Sequence, residues 1–100
     1  MRLTPVQVNT ILTEVAEALG DEARVWLYGS RLQDGALGGD VDLLIEVAAH
    51  PRLAQLAVLR DRLEDLLALP CDVQVRVASE PPTAFQALVA QRAVRLEVAA

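Results

Sequence analysis

The stretch Tyr28 to Val47, YGSRLQDGALGGDVDLLIEV, decides how the rest of the chain is read. It begins at the end of an apolar run, turns at Gly29-Ser30, passes through a glycine-punctuated loop holding Asp34-Gly35 and Gly38-Gly39, and opens a second apolar run with Asp40-Val41-Asp42. In an extended strand, residues two apart project to the same face, so Asp40 and Asp42 share one side. Two neighbouring carboxylates repel each other and resist burial, and a cation is the natural compensator.

Outward from this stretch the pattern alternates helix and strand. Arg24 to Tyr28 is short, apolar and β-prone. From Asp40 to Val47, Val41, Leu43, Ile45 and Val47 face one way and Asp40, Asp42, Leu44 and Glu46 the other. Cys71 to Val77 alternates likewise, with Asp72, Gln74 and Arg76 on its polar face. Thr4-Pro5-Val6-Gln7 is a helix start, with Thr4 as N-cap, and Gly20 is its stop. Pro51 is expected to open a second helix that ends at Pro70, with an apolar stripe of Leu53, Leu56, Leu59 or Arg60, Leu63, Leu66 and Leu67. Pro81-Pro82-Thr83 starts a third helix to about Arg92, and Val94, Leu96 and Val98 allow a short last strand. The expected architecture is one α+β (mixed α/β) domain over residues 1–100, a small mixed sheet with helices on one face.

Composition narrows the function classes. The chain has 100 residues, 53% of them hydrophobic, which suits one domain with a core of Leu, Val and Ala. The formal charge of −5 argues against a broad nucleic-acid-binding surface but leaves room for a local basic pocket. One cysteine and one histidine build neither an internal disulfide nor a zinc cluster, so metal chemistry would use oxygen ligands. The sequence shows neither a membrane-spanning run nor a secretory leader pattern, and a cytoplasmic location is the expectation.

Asp72, if its strand pairs beside Val41 to Val47, brings a third carboxylate to Asp40 and Asp42. Such a set suits Mg²⁺, which binds carboxylate oxygens together with substrate phosphates. Gly29 lets backbone approach a ligand, Ser30 adds a hydroxyl and Arg31 a fixed charge, so the turn reads as a phosphate cradle. Other residues read more simply. His50 is a helix-start residue, Cys71 a buried thiol, Trp26 packing, Asp34 a turn residue and Glu46 a surface residue. Arg76 shares the face of Asp72.

With these residues in hand, LYGSRLQDGALGGDVDLLIEV resembles the signature of nucleotidyltransferases related to DNA polymerase β, in particular their small stand-alone "minimal nucleotidyltransferase" members. The resemblance spans about Arg24 to Val77. It implies the polymerase β-like nucleotidyltransferase fold, with Gly29 and Ser30 at the nucleotide, Asp40, Asp42 and Asp72 as metal ligands and catalytic carboxylates, and Asp72 helping to deprotonate the acceptor; Arg31 and Gly39 complete the expected nucleotide-binding set. It also implies Mg²⁺ as cofactor, ATP as substrate and a helical HEPN-type toxin as partner, the chain acting as antitoxin by transferring AMP to it. This sequence departs from many members in having Gly39 rather than Ser before Asp-x-Asp and nine residues between Ser30 and Asp40. A non-catalytic module that neutralises the toxin by binding, and a small-molecule nucleotidyltransferase, are the alternatives; a homo- or hetero-oligomer is open.

Overall fold

The computed structural model describes residues 3–29 and 40–98. Helix α1 spans Pro5–Leu19, strand β1 Arg24–Tyr28, strand β2 Val41–Val47, helix α2 Leu53–Leu67, strand β3 Cys71–Val77, helix α3 Ala84–Ala90 and strand β4 Val94–Arg95. The strands form a mixed sheet in the order β3-β2-β1-β4. β1 runs antiparallel to β2 and to β4, whereas β2 and β3 are parallel, joined by α2. A parallel pair needs such a crossover, because a tight hairpin can only reverse the chain.

Each helix starts where its side chains can bond back to the backbone. Thr4 caps α1 by accepting from the Gln7 backbone N–H at 3.1 Å, while the Gln7 side chain accepts from Thr4 N–H at 2.8 Å. Thr83 and Gln86 repeat the arrangement at α3. The second helix begins later than Pro51: Arg52 is the N-cap, and its N–H donates to the Gln55 side chain at 2.8 Å. It ends at Ala68, which adopts the left-handed conformation before Pro70.

Burial is concentrated on one face of the sheet. Val25 and Leu27 of β1 lie opposite Ile45 and Leu43 of β2. Together with Val41 and Val47 they pack in one cluster with Val8, Ile11 and Val15 of α1 and Leu59, Leu63 and Leu67 of α2. The buried stripe of α2 thus steps by four residues. Leu53 and Leu66, expected in that stripe, are 84% and 53% exposed and lie off it. Helices α1 and α2 are further tied where Arg62 donates to the buried Glu14 carboxylate. The expectation of helices on one face holds for these two. The third lies against the opposite face, with Phe85 edge-on to Tyr28 at a ring separation of 6.0 Å. The last strand is limited to Val94–Arg95: Leu96 still donates its N–H to Val25 at 2.8 Å, but Val98 is exposed.

Candidate active site

The second face of the sheet carries the polar residues, and strand register arranges them in rows. Tyr28 pairs with Asp42 across the antiparallel β1–β2 ladder, and Asp42 pairs with Asp72 across the parallel β2–β3 ladder. Tyr28, Asp42 and Asp72 therefore stand side by side on three strands. The next row is Trp26, Leu44 and Gln74, and the one beyond is Arg24, Glu46 and Arg76. The Val41 N–H donates to the Pro70 carbonyl at 2.8 Å, which aligns the starts of β2 and β3 so that the two aspartates meet.

Gly29 closes one side of the first row. Its φ is +81°, a conformation that side chains disfavour, and a Cβ placed there would lie 2.2 Å from Asp42 Oδ2. Both the turn and the space therefore require glycine. Asp40 lies just before β2, exposed, two residues from Asp42 and on the same side by strand alternation.

The electrostatics of this edge are those of crowded anions. The Asp42 carboxyl is held above its ordinary range by burial, then by the charges of Asp72 and Asp40. The Tyr28 hydroxyl is buried near Asp72, without a well-formed hydrogen bond among the described residues. Its pKa is pushed up to about 12 by burial and then by Asp72 and Asp42, so it stays protonated and able to donate. Burial, Glu64, Asp40 and Asp42 push the Cys71 thiol to about 11. Among the described residues none of the three aspartates pairs with an arginine.

The described residues contain no group of three His, Cys, Asp or Glu side chains gathered closely enough to enclose a metal by themselves. The chemistry of the donor set still suits Mg²⁺, which is commonly held by one or two carboxylates with the remaining positions filled by phosphates and water. Mutually repelling carboxylates, one of them half-buried, are what an added cation would relieve.

Of the residues expected from sequence, Gly29, Asp42 and Asp72 come together and Asp40 adjoins them. Ser30, Arg31, Asp34, Gly38 and Gly39 lie outside the described residues. Glu46 differs from the expected surface residue: its Oε2 accepts from Arg76 Nη1 at 2.6 Å, and both side chains are mostly buried. Arg76 also donates to the Glu80 carbonyl at 3.2 Å. His50 meets Glu80 at 2.8 Å on the surface, away from the aspartate row. Tyr28 was not singled out by sequence reasoning. Its signal was present: it follows inward-facing Leu27 on β1 and immediately precedes Gly29, which places it on the carboxylate face.

This is an α+β domain that presents aspartates from two parallel strands beside a glycine turn, the framework of a phosphate-handling transferase. The family model for the nucleotidyltransferase domain matches residues 8–94, and the chain belongs to that family. Among solved structures, it is similar to a chain in the complex of tri-AMPylated Shewanella oneidensis HEPN toxin with MNT antitoxin. That match has a TM-score of 0.71 and 16% identity, and it covers 92% of this chain and 70% of the other. No curated protein sequence matches significantly.

Proposed function

We propose that the chain, acting as a single domain, is a Mg²⁺-dependent nucleotidyltransferase that transfers AMP from ATP to a hydroxyl of a partner protein, as the cytoplasmic antitoxin of a HEPN-type toxin. The observation that carries this reading is the register of Asp42 beside Asp72 with Gly29 closed against Asp42. The partner assignment is supported by the similarity to the MNT–HEPN complex.

Asp40, Asp42 and Asp72 would hold Mg²⁺, and Gly29, Ser30, Arg31 and Gly39 would bind the triphosphate. When bound, the cation supplies charge neutralisation for the reacting phosphates and acidifies an acceptor hydroxyl. Asp72 is exposed at the row's outer strand, accessible to a second protein, and serves as the base that takes the acceptor proton. The acceptor oxygen forms a bond to the α-phosphorus as the bond to pyrophosphate breaks. Tyr28, neutral and buried, keeps a donor aimed at the anionic row. Its hydroxyl stabilises negative charge there without adding to it.

Co-expression with a HEPN-type toxin, followed by incubation with radiolabelled ATP and Mg²⁺, tests the reading. Label on the partner that disappears with Asp42→Ala is the expected result. If the partner stays unlabelled and Asp42→Ala still neutralises its toxicity, inhibition is by binding and the catalytic reading fails.

A further inference from the structure

Helix α3 leaves space between itself and the carboxylate-bearing face of the sheet. The resulting cavity, about 260 Å³, takes Trp26 and Leu44 from the sheet, Ala87 and Ala90 from α3, and the Glu46–Arg76 pair from the next row. We propose that it seats the nucleobase of the nucleotide substrate, an aminopurine ring lying against Trp26 with its amino group toward Glu46. The inference rests on the nucleotidyltransferase reading and adds to it the part of the chain that selects the base.

Size, wall chemistry and position each support this occupant. Sites for whole drug-sized ligands are roughly 300–1,000 Å³, so this cavity accepts a ring system and leaves the sugar and phosphates outside. Its walls are mainly apolar, unsuited to phosphate, and two small alanines on α3 leave room over the Trp26 row. That row is two residues along the strands from the Tyr28–Asp42–Asp72 row, about 7 Å at strand spacing. A ribose bridges such a gap, so a base on Trp26 places its α-phosphate at the aspartates. The Tyr28–Phe85 contact fixes α3 over the sheet beside this passage.

The polar end of the cavity selects among bases. Glu46 uses Oε2 to hold Arg76, and its Oε1 accepts no hydrogen bond among the described residues. A free carboxylate oxygen accepts from an exocyclic amino group, which adenine carries at C6 and guanine at C2, and finds no such donor on a purine without one. Stacking on an indole is strongest for large bases, which favours a purine over a pyrimidine.

Trp26 is the sole tryptophan, so fluorescence of the full chain reports on this cavity alone. With Mg²⁺ present, ATP is expected to quench it, inosine triphosphate, whose purine lacks an amino group, to quench it much less, and inorganic triphosphate to leave it unchanged. Calorimetry should show ATP affinity falling about tenfold or more in Ala87→Leu, which fills the cavity, and in Trp26→Leu, the loss expected of a base–aromatic stack. Triphosphate affinity should stay as in the parent. Circular dichroism melts identify any variant that fails to fold, and the parent fluorescence stands independently of both. If ATP binds in an Asp42-dependent way but neither variant weakens it and the fluorescence is silent, the base lies elsewhere, while the nucleotidyltransferase reading survives. Equal quenching by inosine triphosphate overturns the role of Glu46. If ATP does not bind at all, both readings fall.

Discussion

Gly29 and Asp42 show how closely the site constrains single residues. Replacing Gly29 by alanine forces a side chain into a left-handed conformation and drives its Cβ into the Asp42 carboxylate. Gly29→Ala is therefore expected to lose about 1–3 kcal/mol of stability, and to lose metal-dependent ATP binding along with it. Thermal melts and calorimetry measure the two effects separately. Asp42 poses the opposite case. Its carboxyl is raised by burial and by Asp72 and Asp40, so the folded chain holds that proton more tightly than the unfolded chain. Stability falls as pH climbs from the ordinary carboxylate value through the raised one, and stays lowered above it. Without divalent cation, Asp42→Asn should melt higher than the parent at neutral pH, and the difference should vanish below the ordinary carboxylate range. A parent that melts higher at neutral pH would show that Asp42 is not under electrostatic strain.

At the scale of elements, the second helix separates buried from exposed leucines that look alike in sequence. Leu63 is fully buried between α1 and the sheet, whereas Leu53 is 84% exposed. Leu63→Ala is expected to cost about 2–5 kcal/mol, the range for a buried leucine that leaves a cavity. Leu53→Ala should stay within about 0.5 kcal/mol of the parent. Urea titration of both variants checks the assignment, since a large cost at Leu53 would place that face against something. This helix also marks where sequence reading gave out. The spacing of leucines admits more than one stripe, and only packing against Ile11, Leu43 and Ile45 selects the one through Leu59, Leu63 and Leu67. Strands β2 and β3 are easier, because alternation, broken only at Leu44, marks one apolar face. Thr4 and Gln7 announced α1, since a capping box is local chemistry. The pairing of Asp42 with Asp72 was expected only conditionally: alternation names the face of each aspartate, but register between strands thirty residues apart is a tertiary fact. Trp26, expected as a packing residue, also lines the cavity under α3, and how closely that helix descends on the sheet is a tertiary fact of the same kind.

Across the whole molecule, the two faces of one sheet divide the work. One face, closed by α1 and α2, carries the hydrophobic core, and the other carries the aspartate row and the cavity under α3. Substitutions of the aspartates on the second face should therefore change binding with little effect on the fold, and ligand binding should stabilise the fold without repacking the core. In the presence of Mg²⁺ and ATP at about 100 times the dissociation constant, linkage stabilises the folded chain by about 2.7 kcal/mol. For a domain of about this length, each kcal/mol raises Tm by about 4–8 °C. The shift should disappear when EDTA removes the cation, because repulsion among Asp40, Asp42 and Asp72 then opposes the triphosphate. It should also disappear in the double variant Asp42→Asn with Asp72→Asn, while that variant alone melts no lower than the EDTA-treated parent. An ATP-induced shift of equal size in EDTA would mean that the triphosphate is held without a cation, and the aspartate row would lose its assigned role.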